Sequence, residues 1–285
     1  MYNLNGITPR FNFTCWFTRQ RLNMYLWSII DSDGAKIGTI DQINNTVNFT
    51  VELPPYTPED VKAQFEIFKA NRPEYLVGNS ISDDTINSPE CAIATMNNII
   101  TGIMLLQYAD DETAIKNAER CLNWLHSTDF YKCPGSIKYH DAEPTGLLKH
   151  TLRVINRILE LLTLPAFYSV NTTEAVLVAI VHDWCKIGTY EEYLRNVKNE
   201  TTGVWEKVPS YRHLNSPIPF GHGTTSMFIA QRFFKLSMEQ ALAIRWHMGA
   251  GSVADFENSD FWDANEKYPL VSMIQFADRL SIMKV

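Results

Sequence analysis

The sequence is poor in long apolar runs. None approaches the roughly 20 residues that a helix needs to span a bilayer, so no membrane segment is expected. The first residues, Met1-Tyr2-Asn3-Leu4-Asn5-Gly6, carry neither a basic segment nor an apolar core, and no signal peptide is expected from them. Cysteine is sparse as well. The five (Cys15, Cys91, Cys121, Cys133 and Cys185) are odd in number and show no Cys-x-x-Cys spacing, which gives no disulfide framework. They read as buried free thiols in a reducing, cytoplasmic setting. Positive charge is short too, with a net charge of −7 over 285 residues. Residues 1–134 hold 10 Lys and Arg against 16 Asp and Glu, a poor surface for tracking a nucleic-acid backbone. Residues 135–285 hold 15 against 16, and two bound divalent cations would turn that half locally positive. Repeats and low-complexity tracts are absent. What remains is 45% hydrophobic, ample for a core in one large domain or two modest ones.

Residues 11–53 read as β-structure. Phe11, Phe13, Cys15 and Phe17 alternate with polar or outward residues, and Val47, Phe49, Val51 and Leu53 repeat the period of two. Turn signals at Asp31-Ser32-Asp33-Gly34 and Asp41-Gln42-Ile43-Asn44-Asn45 separate three or four antiparallel strands. The aromatics Phe11, Phe13, Trp16, Tyr25 and Trp27 serve either as the core of this thin sheet or as a base-stacking face. Pro54-Pro55 ends the meander, and residues 1–56 form a small β-rich domain. Helices follow over 57–134, a connector expected to pack on the C-terminal domain. They start at Thr57-Pro58, Ser88-Pro89 and Asp110-Asp111, with 74–87 as loop and Ile115, Ala118, Leu122 and Leu125 as the buried stripe of the third.

From about residue 135 the helices carry histidines. Gly146–Leu162 is amphipathic. The helix opened by Asn171-Thr172-Thr173-Glu174 is apolar nearly all round, hence central, and His182-Asp183 lies at its end. A long connection, 189–220, contains a hairpin turn at Asn199–Gly203 and has the length of a functional loop. Further helices start at Gly221-His222-Gly223, at Ser237 and near Tyr268. The architecture is therefore mainly α, with an all-α C-terminal bundle over 135–285 behind the β-meander and the helical connector.

Four histidines fall one per helix: His150, His182, His222 and His247. Asp183 and Asp278 complete a set of six. Imidazole with carboxylate suits divalent metals of intermediate hardness, and six protein ligands exceed the needs of one catalytic metal with an open position. Two metals bridged by Asp183 fit better, one taking His150, His182, Asp183 and Asp278, the other Asp183, His222 and His247. Any one of these histidines alone reads as a hydrogen-bonded cap; the set does not. His126 and His213 fit no role in it.

The order H…HD…H…H…D, with His182-Asp183-Trp184-Cys185-Lys186-Ile187-Gly188 at its centre, resembles the HD-domain superfamily of metal-dependent phosphohydrolases. Six ligands look like its binuclear branch, which holds cyclic-dinucleotide phosphodiesterases and other nucleotide hydrolases. The lead-in Cys133–His140 and Gly146–His150 is similar to an exoribonuclease-like branch, where His140 matches an upstream histidine. Phe220–Gly223 and Arg245–Gly249 are similar to bacterial and phage HD hydrolases. No Gly-Tyr-Pro signature follows His247, which disfavours a dedicated cyclic di-GMP phosphodiesterase.

The resemblance implies an all-α HD bundle, two divalent ions (Mn, Fe, Mg or similar) and hydrolysis of a phosphoester by a metal-activated water. Asp183 would bridge and orient the nucleophile. Lys186 reads either as a phosphate contact or as a lysine favoured at a helix C-terminus. Arg212, Arg245 and Arg279 are further candidates for phosphate contacts, and His140 for protonating the leaving group. The substrate would be a nucleotide or other small phosphoester. The alternatives are 3′-to-5′ cleavage of single-stranded RNA or DNA, and the di-iron oxygenase chemistry of related ligand sets.

Overall fold

A computed structural model describes residues 11–14, 17–18, 21–22, 26–31, 36–41, 46–50, 57–62, 80–108, 110–138, 141–214, 216 and 218–283. The chain divides into two compact units, Met1–Gly78 and Asn79–Val285.

In the first unit, strands β1 (Phe11–Thr14), β4 (Leu26–Asp31), β5 (Lys36–Asp41) and β6 (Thr46–Phe49) form an antiparallel sheet in that order. A short ribbon of β2 (Phe17–Thr18) and β3 (Arg21–Leu22) lies between β1 and β4 in the chain. The expected meander is present. Ile29, Ile37 and Ile40 are buried, as a half-covered sheet requires. The side chains of Phe11, Phe13, Trp16, Tyr25 and Trp27 lie outside the described residues. Thr57 caps a helical turn at 58–62. Its Oγ1 accepts from the Asp60 N–H (3.2 Å), while Asp60 Oδ2 accepts from the Thr57 N–H (3.1 Å).

Among the described residues, the regular structure of the second unit is helical apart from one hairpin. Residues 74–87, expected as loop, include α1 (Asp83–Asn87), which Ser82 caps through the Thr85 N–H. One buried side chain, Ile86, is too little periodicity for a sequence to announce. Helix α2 (Pro89–Gln107) starts where Ser88-Pro89 places it, and it buries Met96, Ile99, Ile100, Ile103 and Met104. Among the described residues it is the one helix long and apolar enough to cross a membrane by length and composition. Cys91, on its first turns, is exposed rather than buried. Helix α3 (Asp111–Ser127) buries Ala114, Ala118, Cys121 and Leu125 and leaves Ile115 exposed. Its inward face is thus rotated from the stripe expected of it.

These helices fold with the rest of the second unit. Asn156 of α4 (Gly146–Leu161) clamps the backbone of Ile81 through both N–H and C=O, at 2.8 and 2.7 Å. Trp124 of α3 packs on Trp184 with ring centroids 5.3 Å apart. Helix α5 (Thr172–Val181), capped by Asn171, buries every side chain from Ala175 to Val181 and is the central rod. Then come the hairpin β7 (Tyr190–Lys198) and β8 (Trp205–His213), α6 (His222–Ala230), α7 (Met238–Trp246), α8 (Asn258–Lys267) and α9 (Pro269–Ser281). The hairpin is longer than the turn at Asn199–Gly203 suggested. Helix α8 was not anticipated from the sequence, because its face is largely polar.

Candidate metal centre

Helix α5 ends at His182, and Asp183 leaves helical geometry at φ −105°, ψ 15°. That break lets two consecutive side chains face one centre. A single turn of 3₁₀-helix, Trp184–Lys186, follows and sinks Trp184 into the core. Helix α4 brings His150, α9 brings Asp278, and α6 and α7 bring His222 and His247. Gly223 sets the last approach. A Cβ on it would stand 2.2 Å from the Arg245 carbonyl oxygen and 2.6 Å from that of Ile244, so only glycine lets α6 lie so close to α7.

Asp183 is the hub, and its two carboxylate oxygens face different partners. Oδ2 lies 3.4 Å from Nε2 of both His150 and His182 and 2.7 Å from Lys186 Nζ. Oδ1 lies 2.8 Å from His222 Nε2 and 3.6 Å from His247 Nε2. Asp278 Oδ1 adds a contact to His150 Nε2 at 3.1 Å. The structure thus brings together all six residues of the H…HD…H…H…D set.

The imidazoles are aimed by their outer nitrogens. His182 Nδ1 donates to the Ala179 carbonyl (2.7 Å) and His247 Nδ1 to that of Ile244 (2.8 Å). His150 Nδ1 lies 3.3 Å from Ser281 Oγ. Each bond turns Nε2 inward, as in metal sites where a second hydrogen bond fixes the ligand tautomer. His247 Nε2 is buried without a hydrogen-bond partner. A buried, unsatisfied lone pair among carboxylate and imidazole is what a cation would complete. The residues present therefore fit a divalent metal, and His150, His182 and Asp183 offer donor atoms all within 4.8 Å of one another.

Charge is distributed to match. Burial penalises the Asp183 carboxylate, but Lys186, then His182, hold it well below the usual carboxylate range. Burial also opposes ionisation of Asp278, which the His150 contact outweighs, so it too is depressed. Burial lowers His222, yet its bond to Asp183 raises it to about 10. His150 is raised against its burial by the same two carboxylates. Burial keeps His247 below its ordinary value, hence neutral.

The remaining candidates fall in different places. Lys186 is in the cluster, where its Nζ pairs with Asp183 and donates to the Gly135 carbonyl at 2.7 Å. Arg212, on β8, pairs with Glu191 at 2.7 Å and is well exposed. Arg245 pairs with Glu257 and lies over the Trp246 ring. Arg279 is exposed beside Asp278 on α9. His140 lies outside the described residues. His126 is on α3 near Asn97, and His213 stacks on Tyr190. Reading the sequence alone missed Gly135 and Cys185. The first acts through its backbone, and the second had only its place two residues after Asp183 to mark it.

A helical bundle whose helices converge on a buried His/Asp cluster is a frame that could hold a divalent metal. Residues 147–283 match the family model of the HD domain, and the buried His/Asp cluster within them fits an HD metal site. Neither the curated proteins nor the solved structures give a match to the chain. HD domains bind divalent metals and typically act as metal-dependent hydrolases, which points to a phosphohydrolase in general.

Proposed function

We propose that the chain is a cytoplasmic metal-dependent phosphohydrolase that hydrolyses a nucleotide or related small phosphoester with two divalent ions. The observation that carries this reading is the division of Asp183. Oδ2 faces His150 and His182, Oδ1 faces His222 and His247, and each side offers a separate donor set around one shared carboxylate. His150, His182, Asp183 and Asp278 would hold one ion, and Asp183, His222 and His247 the other. Bound divalent ions supply Lewis-acid polarisation of a phosphoryl group and a water of low pKa. Asp183 fixes the spacing of the two halves. Lys186 holds that carboxylate ionised and in place, through its 2.7 Å contact and its tie to Gly135. Trp184 and the buried face of α5 close the back of the site to water. The hairpin 190–213 leaves from the same turn and returns to it through the bond from the Leu214 N–H to the Thr189 carbonyl, 2.8 Å. In this reading it acts as a lid.

The test is metal analysis of the purified chain, followed by a screen of nucleotides, cyclic nucleotides and single-stranded oligonucleotides, with and without chelator. Chelator-sensitive release of phosphate or nucleoside monophosphate from small substrates is expected. Degradation of oligonucleotides alone would move the reading to an exonuclease. Dioxygen consumption by iron-loaded protein, without hydrolysis, would move it to an oxygenase.

A further inference from the structure

Cys185 stands two residues after Asp183, on the 3₁₀ turn, and is buried. Its backbone N–H donates to Ser226 Oγ at 2.9 Å. Ser226 lies one turn beyond His222 on α6, so the bond that pins Cys185 also sets it against His222. Donor atoms of Asp183, Cys185 and His222 all lie within 4.8 Å of one another. His247, whose Nε2 is buried, unpartnered and 3.6 Å from the same Asp183 oxygen, is aimed at the same place.

We infer that Cys185 is a sulfur ligand of the second ion, so that this half of the centre is Asp183, Cys185, His222 and His247. The inference rests on the proposal that the cluster binds metal, and it adds a donor that the H…HD…H…H…D set lacks. Its consequence is selectivity. Thiolate with imidazole favours zinc, cobalt or ferrous iron over magnesium and manganese, whereas the His150 side, with imidazole and carboxylate only, has a weaker preference of the same kind. The two halves of one centre would then differ in the metals they retain. The other described cysteines are remote in kind: Cys91 is exposed, and Cys121 and Cys133 are buried outside any such donor group.

Cobalt(II) reads this directly, since a thiolate ligand gives a near-ultraviolet sulfur-to-cobalt charge-transfer band. Full-length chelator-treated protein would be titrated with cobalt as wild type, Cys185→Ser and Cys133→Ser. Cobalt content, visible d–d absorption and far-ultraviolet circular dichroism would be recorded together. Wild type and Cys133→Ser are expected to show the band. Cys185→Ser should lose it while still binding cobalt through the remaining ligands, with zinc affinity at least about tenfold weaker and manganese affinity little changed. Cobalt bound to wild type without the band, or a band surviving in Cys185→Ser, overturns the sulfur ligand and leaves the metal centre standing. Failure of wild type to bind cobalt, zinc or manganese at all overturns both. A wild-type spectrum that lacks the band overturns the proposal even if a variant misfolds.

Discussion

Residues 172–189 and 190–213 are neighbours in the chain and opposites in environment. In the first stretch α5 and the turn after it are buried, and His182, Asp183 and Trp184 are nearly inaccessible. In the second, nine residues of β7 pair with nine of β8, and most are exposed on both faces of the ribbon. Trp205 is 67% exposed and Leu194 60%. An isolated two-stranded hairpin is marginal in water, so packing gives little reason for this one to exist. The buried stretch is fixed by what it must hold together. The exposed stretch is free to do something, and it is anchored at the residue next to the centre. Tyr190 makes the join: burial pushes its phenol up to about 12, with Lys186 and Asp183 as its charged neighbours.

The comparison breaks most sharply at Asp183. Asp183→Ala removes the carboxylate that faces all four histidines, and it is expected to lower metal affinity and turnover by more than about a hundredfold. Even outer partners of ligands typically cost about 10- to 100-fold. Metal titration by calorimetry and steady-state rates check this. Lys186→Met keeps the stem and removes the ammonium that neutralises Asp183 and ties down Gly135. Losing one partner of a buried pair costs about 3 kcal/mol, expected in urea unfolding of the metal-free protein. Loaded protein should lose less, because bound cations would offset the same carboxylate.

The effect of pH is expected to be smaller and to have two signs. His222 is raised from 6.5 to about 10, so its contribution to the metal-free fold is complete below 6.5 and is lost as pH rises through 10. Asp183 is lowered from 3.8, so its contribution is present above 3.8 and is lost as pH falls through its depressed value. Metal-free protein should therefore lose stability between about pH 7 and 10. Over the same interval metal affinity should rise, because His222 must release its proton to become a ligand. Thermal melts with and without metal would show the two curves diverging. The smallest stability effect belongs to the hairpin. Trp205→Ala should change unfolding free energy by less than about 0.5 kcal/mol, as an exposed substitution does. If the ribbon is a lid, the same variant changes KM, and an unchanged KM removes that role.

The two stretches were unequally legible in the sequence. The ligand set could be read because the four histidines fall one per helix and because His182-Asp183 interrupts an apolar run. The caps Ser88, Asp110, Asn171 and Ser237 were equally plain, since each side chain accepts from the backbone N–H three residues on. Helix α1 has too few apolar residues to show a period, and α8 is largely polar. The inward face of α3 is chosen by Trp184, Phe233 and the helices around it, not by its own hydrophobicity. Lys186 could be read either as a phosphate contact or as a helix cap. Only tertiary structure supplied the third answer, a counter-charge with a backbone anchor at Gly135. Cys185 carried no pattern of its own, because a lone thiol in a core segment looks like packing until His222 arrives beside it from another helix.

The most direct test is the metal content of the full-length chain after loading and desalting, measured alongside Asp183→Ala and with chelator-treated protein assayed for turnover. Two divalent ions per wild-type chain are expected, at most one in the variant, and no turnover by chelated protein. Equal metal content in wild type and variant, or full turnover after chelation, would contradict a centre organised on the two oxygens of Asp183.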